Sequence, residues 1–195
     1  MIREAFGKIF WGFLLVLVEI HFLFIDILPD PVGYYLIYSG ISMLMKDYPV
    51  GKKASNWAIT LCFLSIPSMF ISQNEINRMI EVLSLAQFYT TIMAVLKIIV
   101  VFYVFQILLE IATKQGVDDL QDWTAKFLKI YMITMIAVQI LGPFSMNVPI
   151  DNWTAVPFLA AITALILDIM FLVLLNRFKK LENENMNEEE GISPY

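Results

Sequence analysis

The 195-residue chain is predicted to be all-α, a polytopic membrane bundle of six transmembrane helices with both termini in the cytoplasm. Three observations predict it. Apolar residues make up 59% of the chain and charged residues 16%, with a mean hydropathy of +0.72. A soluble domain averages about half apolar residues, and a water-soluble core of this size could not hide the excess. Second, the apolar residues gather into six stretches, 9–28, 31–45, 56–72, 84–112, 125–144 and 154–176. Third, the basic residues alternate from loop to loop. If all six stretches cross, one side receives Arg3 and Lys8, then Lys46, Lys52 and Lys53, then Lys114, Lys126 and Lys129, then Arg177, Lys179 and Lys180. The other side receives Arg78 alone, and Lys97 lies inside the fourth stretch. An excess of Lys and Arg on cytoplasmic loops is what correctly assigned spans give.

The first stretch follows Arg3 and Lys8 as a signal peptide would, but Glu19 and His21 interrupt it and no small-x-small cleavage site follows, so it reads as a retained helix. It stops at Leu28 because the residue before a proline, here Pro29, is pushed out of helical geometry. Asp30 then caps a second helix with Pro31 in its first position, which makes a tight antiparallel connection. At fifteen residues this second stretch is about 22 Å long, short of the roughly 30 Å hydrocarbon core. A re-entrant segment is the alternative; it divides the basic residues nine to three and puts the N-terminus outside.

Trp11, Trp57, Trp123 and Trp153 each fall near the end of a stretch, as interfacial anchors do. Between the third and fourth stretches, residues 74–83 place Ile76, Ile80 and Leu83 opposite Glu75, Arg78 and Glu81, the pattern of a surface-lying amphipathic helix. Gln115-Gly116 is a helix stop, and Asp118 or Asp119 starts the next turn. The membrane domain is expected to occupy residues 1–180. Residues 181–195 are acidic, Asn-rich and poor in apolar residues, so a disordered cytoplasmic tail is expected there.

Several function classes drop out. A single histidine, His21, excludes HExxH and multi-His zinc sites, and a single cysteine, Cys62, excludes intramolecular disulfides and CxxC chemistry. There is no GxSxG, P-loop or glycine-rich dinucleotide fingerprint. The sequence therefore predicts no enzyme, no cofactor and no metal. The net charge of −5 owes much to the glutamates of the tail, and no clustered basic face predicts nucleic acid as a partner. The expected partners are the lipid bilayer and other membrane proteins.

Chemistry, if present, belongs to ionisable residues inside the stretches: Glu19, Asp26, Lys97 and Asp168. A charge at mid-membrane costs at least about 2.5–3.5 kcal/mol on insertion scales, so each one calls for a reason. Ala160 and Ala164 precede Asp168 at four-residue spacing, and Thr90 and Ala94 share a face with Lys97. Such small-residue faces let helices approach and point both charges into the bundle. Lys97 is expected to pair with Glu19 or Asp168. Three acids against one base leave a surplus carboxyl that must be protonated, hydrated or occupied by a cation. Two readings follow: a register-fixing ion pair in a non-enzymatic accessory or interaction subunit, or a proton, cation or small-solute path through Glu19, Lys97 and Asp168.

The run Asp26-Ile27-Leu28-Pro29-Asp30-Pro31-Val32-Gly33-Tyr34-Tyr35 resembles a D-x-x-P-D-x-x-G-Y segment of small multi-pass bacterial membrane proteins. This resemblance implies a bacterial-type plasma membrane and brings no activity with it. In architecture alone, the six helices are similar to the substrate-binding subunits of energy-coupling factor vitamin transporters. Those subunits dock their partner through small residues on the first helix, where this chain has Gly7 and Gly12 among bulky neighbours.

Overall fold

The computed structural model describes residues 1–21, 30–67, 80–145 and 155–189. Among them, the side chains of 19–21, 80–87, 142–145, 155, 157 and 182–189 are not part of the description. The described residues are all-helical and contain no strand. The helices are α1 (Ile2–His21), α2 (Asp30–Leu44), α3 (Gly51–Leu64), α4 (Ile80–Gln115), α5 (Asp118–Ser145) and α6 (Ala155–Glu189). The amphipathic segment expected at 74–83 lies outside the described residues up to 79; α4 begins at Ile80.

Each helix packs antiparallel on its neighbour in sequence, and α6 returns to pack on α1, closing the ring. One end of the ring gathers the start of α1, the α2–α3 turn, the α4–α5 turn and the later part of α6. Lys8 Nζ lies 3.6 Å from Met43 Sδ of α2. Phe6 stacks on Phe178 at 6.1 Å. Lys114 donates to the Asp47 carbonyl at 2.5 Å and stands 4.5 Å from the Tyr48 ring centroid, a cation–π contact that ties the α2–α3 turn to α4. The eleven loop cations of the charge pattern thus belong to segments that converge on one end.

Local signals explain several boundaries. Gly116 takes φ 68, and the amides of Gly116 and Val117 return to the carbonyls of Thr113 and Ala112 at 3.2 and 3.1 Å. That pair of bonds is the Schellman arrangement, which needs a left-handed residue that glycine supplies without steric cost. Asp118 and Asp119 then occupy the first turn of α5, where carboxylates favour the positive end of the helix dipole. α6 continues through Glu189, beyond the 1–180 boundary expected from sequence. Its last residues are mostly Leu, Glu, Asn and Met with no proline or glycine before Gly191, so nothing in the chain forces a stop.

Backbone approach is closest between α1 and α2. A Cβ built on Gly12 would lie 2.6 Å from the Gly33 carbonyl oxygen, and one on Gly40 would lie 2.5 Å from the Ala5 carbonyl oxygen. Gly33 and Gly40 are seven residues apart on the buried face of α2, with Ile37, Ile41 and Leu44. They meet Ala5, Ile9, Gly12 and Val16, which recur at helical spacing on α1. Small residues permit this contact where water supplies no force between helices.

Among the described residues, three helices are long and apolar enough to cross a membrane: Phe88–Gln115, Asp118–Leu141 and Phe158–Leu181, with mean hydropathies of 2.6, 1.4 and 2.7. α2 and α3 have 15 and 14 residues, about 22 and 21 Å. The bundle surface carries exposed Ile130, Ile133, Ile136 and Ile140 on α5 and Phe158, Leu159, Ile166 and Val173 on α6. In water such a belt is an aggregation liability; in hydrocarbon it is unremarkable.

Candidate functional site at a buried carboxylate

The interior of the ring is largely aromatic. Phe105 of α4 lies 5.0 Å from Phe171 of α6 and 5.5 Å from Phe127 of α5, while Phe13 of α1 meets Phe171 edge-on at 5.1 Å. Such centroid separations and tilts suit the ring quadrupoles. Into this cluster α6 projects Asp168, which is only 7% exposed.

Both carboxylate oxygens of Asp168 are engaged. Lys97 Nζ of α4 donates to Oδ2 at 2.8 Å, and the Tyr131 hydroxyl of α5 donates to Oδ1 at 2.6 Å. Tyr131 is fully buried and packs at a tilt against both Phe105 and Phe171, 5.7 and 5.8 Å away, so packing fixes its ring and aims its hydroxyl. Three helices are tied through one side chain. The knot is deep: Asp168 is about 15 Å along α6 from Phe158 and about 20 Å from Leu181. Charge-assisted bonds of this length are the strong kind, and removing one donor strands charge in an apolar surround.

Of the four ionisable residues singled out in the sequence, Lys97 and Asp168 are thus brought together. Glu19 lies in α1, but its side chain is outside the described residues, as is all of Asp26. The surplus-acid argument therefore reaches no further than the paired carboxylate. Tyr131 is the member that sequence reasoning missed. One signal for it was present: Leu120, Thr124, Phe127, Tyr131 and Met135 fall on one stripe of α5, all of them buried. A tyrosine on such a stripe must find a partner for its hydroxyl.

Beside the ion pair lies a void of about 10 Å³, lined by Phe13, Leu17, Phe171 and Leu172 with Lys97 and Asp168. That is at the lower limit of what one water needs, and far below the roughly 300 Å³ at which ligand pockets begin. The side chains that form it are apolar apart from the pair itself. The arrangement can fix helix register and hold a charge neutralised. No group of three or more His, Cys, Asp or Glu able to hold a metal occurs among the described residues.

Of the two α1 glycines compared above with a docking face, Gly12 is committed within the chain, because it faces Gly33 of α2, whereas Gly7 has no backbone of another helix against it. No protein-family model matches the sequence, and no curated protein or solved structure matches it either.

Proposed function

We propose that this chain is a six-pass integral protein of the cell membrane, with both termini cytoplasmic, that acts as a non-enzymatic accessory or interaction subunit. The observation that carries this reading is the mutual pairing of the intramembrane charges among the described side chains. Lys97, Tyr131 and Asp168 satisfy one another beside a void of about 10 Å³, so the cluster serves to join α4, α5 and α6. The outer faces of α5 and α6 remain available to lipid and to other membrane helices. The convergence of the basic segments on one end supports the orientation, since that end is the one the positive-inside rule assigns to the cytoplasm.

The orientation has a direct test. Reporter fusions at residues 48, 80, 118 and 150 are expected to read in, out, in and out. The re-entrant form of α2 gives the same four readings and differs at the N-terminus, so a reporter fused there is expected to read in, and an external reading would restore the re-entrant form.

A second reading, proton or cation transport, is favoured by one observation: the 2.6 Å hydrogen bond from Tyr131 to Asp168 next to space approaching the size of a water. Flux in proteoliposomes separates the two. With imposed pH and sodium gradients, the wild-type chain is expected to conduct no better than empty liposomes. Flux that is present in wild type and lost in Asp168→Asn, with both proteins equally incorporated, would establish the transport reading in place of ours.

A further inference from the structure

At the basic end of the ring, α1, α2 and α6 border an open groove of about 640 Å³. Arg3 and Lys8 of α1 and Lys179 of α6 line it, with one acid among the described side chains, Glu4, which is paired with Lys8 at 3.3 Å. Its floor is open because Gly7 has no side chain: a Cβ there would find its nearest neighbour, Lys179 Nζ, at 3.9 Å. Lys179 is half-buried and makes no ion pair among the described residues. One helical turn further in, about 6 Å, the groove is walled by Trp11, which is 56% exposed, and by Leu36 of α2. Cations thus stand at the level of the bundle end, and an indole and a leucine continue from them toward the apolar belt.

From this gradation we infer that the groove is a binding site for the headgroup of an anionic phospholipid of the cytoplasmic leaflet. This inference rests on the membrane reading above. The phosphate sits in the gap over Gly7, within the field of Lys179, Lys8 and Arg3, and an acyl chain runs down past Trp11 and Leu36. A soluble anion would use the cations and leave the apolar wall idle; a zwitterionic lipid would use the wall and gain little from the excess positive charge. Basic pockets between helices on the cytoplasmic side recognise anionic headgroups in this way, and Trp marks headgroup depth. Each basic residue near an anionic surface contributes about fivefold in affinity at ordinary ionic strength.

The test uses the full chain purified in mild detergent, with lipid binding followed by native mass spectrometry and thermal unfolding. Dioleoylphosphatidylglycerol is expected to bind at least about fivefold more tightly than dioleoylphosphatidylcholine, the effect of one basic residue near the headgroup. Arg3→Gln with Lys179→Gln should bring that preference below about threefold. Gly7→Leu keeps every charge and fills the gap, and is expected to weaken phosphatidylglycerol about tenfold; it decides the matter if the double variant does not fold. Equal binding of the two lipids, a preference unchanged by Gly7→Leu, or inorganic phosphate competing as well as phosphatidylglycerol would each overturn the site. Alkaline extraction of native membranes is read in parallel. A chain that stays in the membrane pellet but shows no lipid preference refutes this inference alone, whereas release into the supernatant refutes the membrane reading itself.

Discussion

Lys97→Met is expected to destabilise the bundle by about 3 kcal/mol, the lower end of the range for stripping one partner from a buried ion pair. Lys97 and Asp168 are 2.8 Å apart, with side chains only 13% and 9% exposed, so solvent does little to soften the loss. The effect falls at the lower end because Asp168 keeps its hydrogen bond from Tyr131. The measurement is reversible unfolding of the purified protein by a denaturing detergent, followed by far-UV circular dichroism. Combining Lys97→Met with Asp168→Asn removes both charges and leaves an amide oxygen to accept from Tyr131. More than half of the lost stability should return. If the double variant is as unstable as the sum of the singles, the pair is not the coupled unit described above.

Tyr131→Phe provides an internal scale for the same cluster. It removes one hydrogen bond to a charged acceptor, worth about 1.5–3 kcal/mol, without changing ring packing against Phe105 and Phe171. A transport role would spread these variants differently, with flux collapsing in Tyr131→Phe and Asp168→Asn whatever the change in stability. The accessory-subunit reading ties any loss of function to the amount of folded protein.

The visibility of these residues in the sequence followed their physical cost. Lys97 and Asp168 stood out because a charge inside an apolar run has few structural excuses. Tyr131 did not, because a tyrosine in a membrane helix is equally at home at the interface, and only the neighbouring positions on α5 mark its stripe as interior. The α4–α5 turn was readable because Gly116 and the aspartates after it are local devices whose geometry needs no partner. The pairing of Gly12 with Gly33, and of Gly40 with Ala5, was not readable in the same way. Each glycine is visible alone, but the sequence carries no register between α1 and α2. The sense of the ring is intermediate: short connections force neighbours to be antiparallel, while closure of α6 on α1 depends on Phe6–Phe178 and Phe13–Phe171 contacts that no local pattern specifies.

The α1–α2 seam yields a graded prediction, because the same Gly→Ala change meets different surroundings at each position. Added at Gly12, a methyl would press to 2.6 Å on a backbone carbonyl and to 2.9 Å on the amide nitrogen of Ile37. At Gly40 it would press to 2.5 Å on the Ala5 carbonyl and to 3.1 Å on the amide nitrogen of Ile9. Backbone atoms cannot swing aside as a side-chain terminus can, so the helices themselves must separate, which loosens contacts along the whole seam. Gly12→Ala and Gly40→Ala are each expected to cost about 2–3 kcal/mol, in the upper part of the overpacking range. At Gly33 the tightest neighbour is the Val16 Cγ2 methyl at 2.7 Å, with the Gly12 carbonyl at 3.0 Å. The closest contact there is a side-chain methyl rather than a backbone atom, so a smaller loss of about 1–2 kcal/mol is expected. Gly7, whose nearest neighbour is a flexible ammonium at 3.9 Å, has room for the methyl. There the gain in helix propensity, up to about 1 kcal/mol, leaves Gly7→Ala neutral or slightly stabilising. The same detergent unfolding ranks the four variants, and the order is what tests the seam. If Gly12→Ala and Gly40→Ala unfold together with Gly7→Ala, α1 and α2 are not in backbone contact at these glycines.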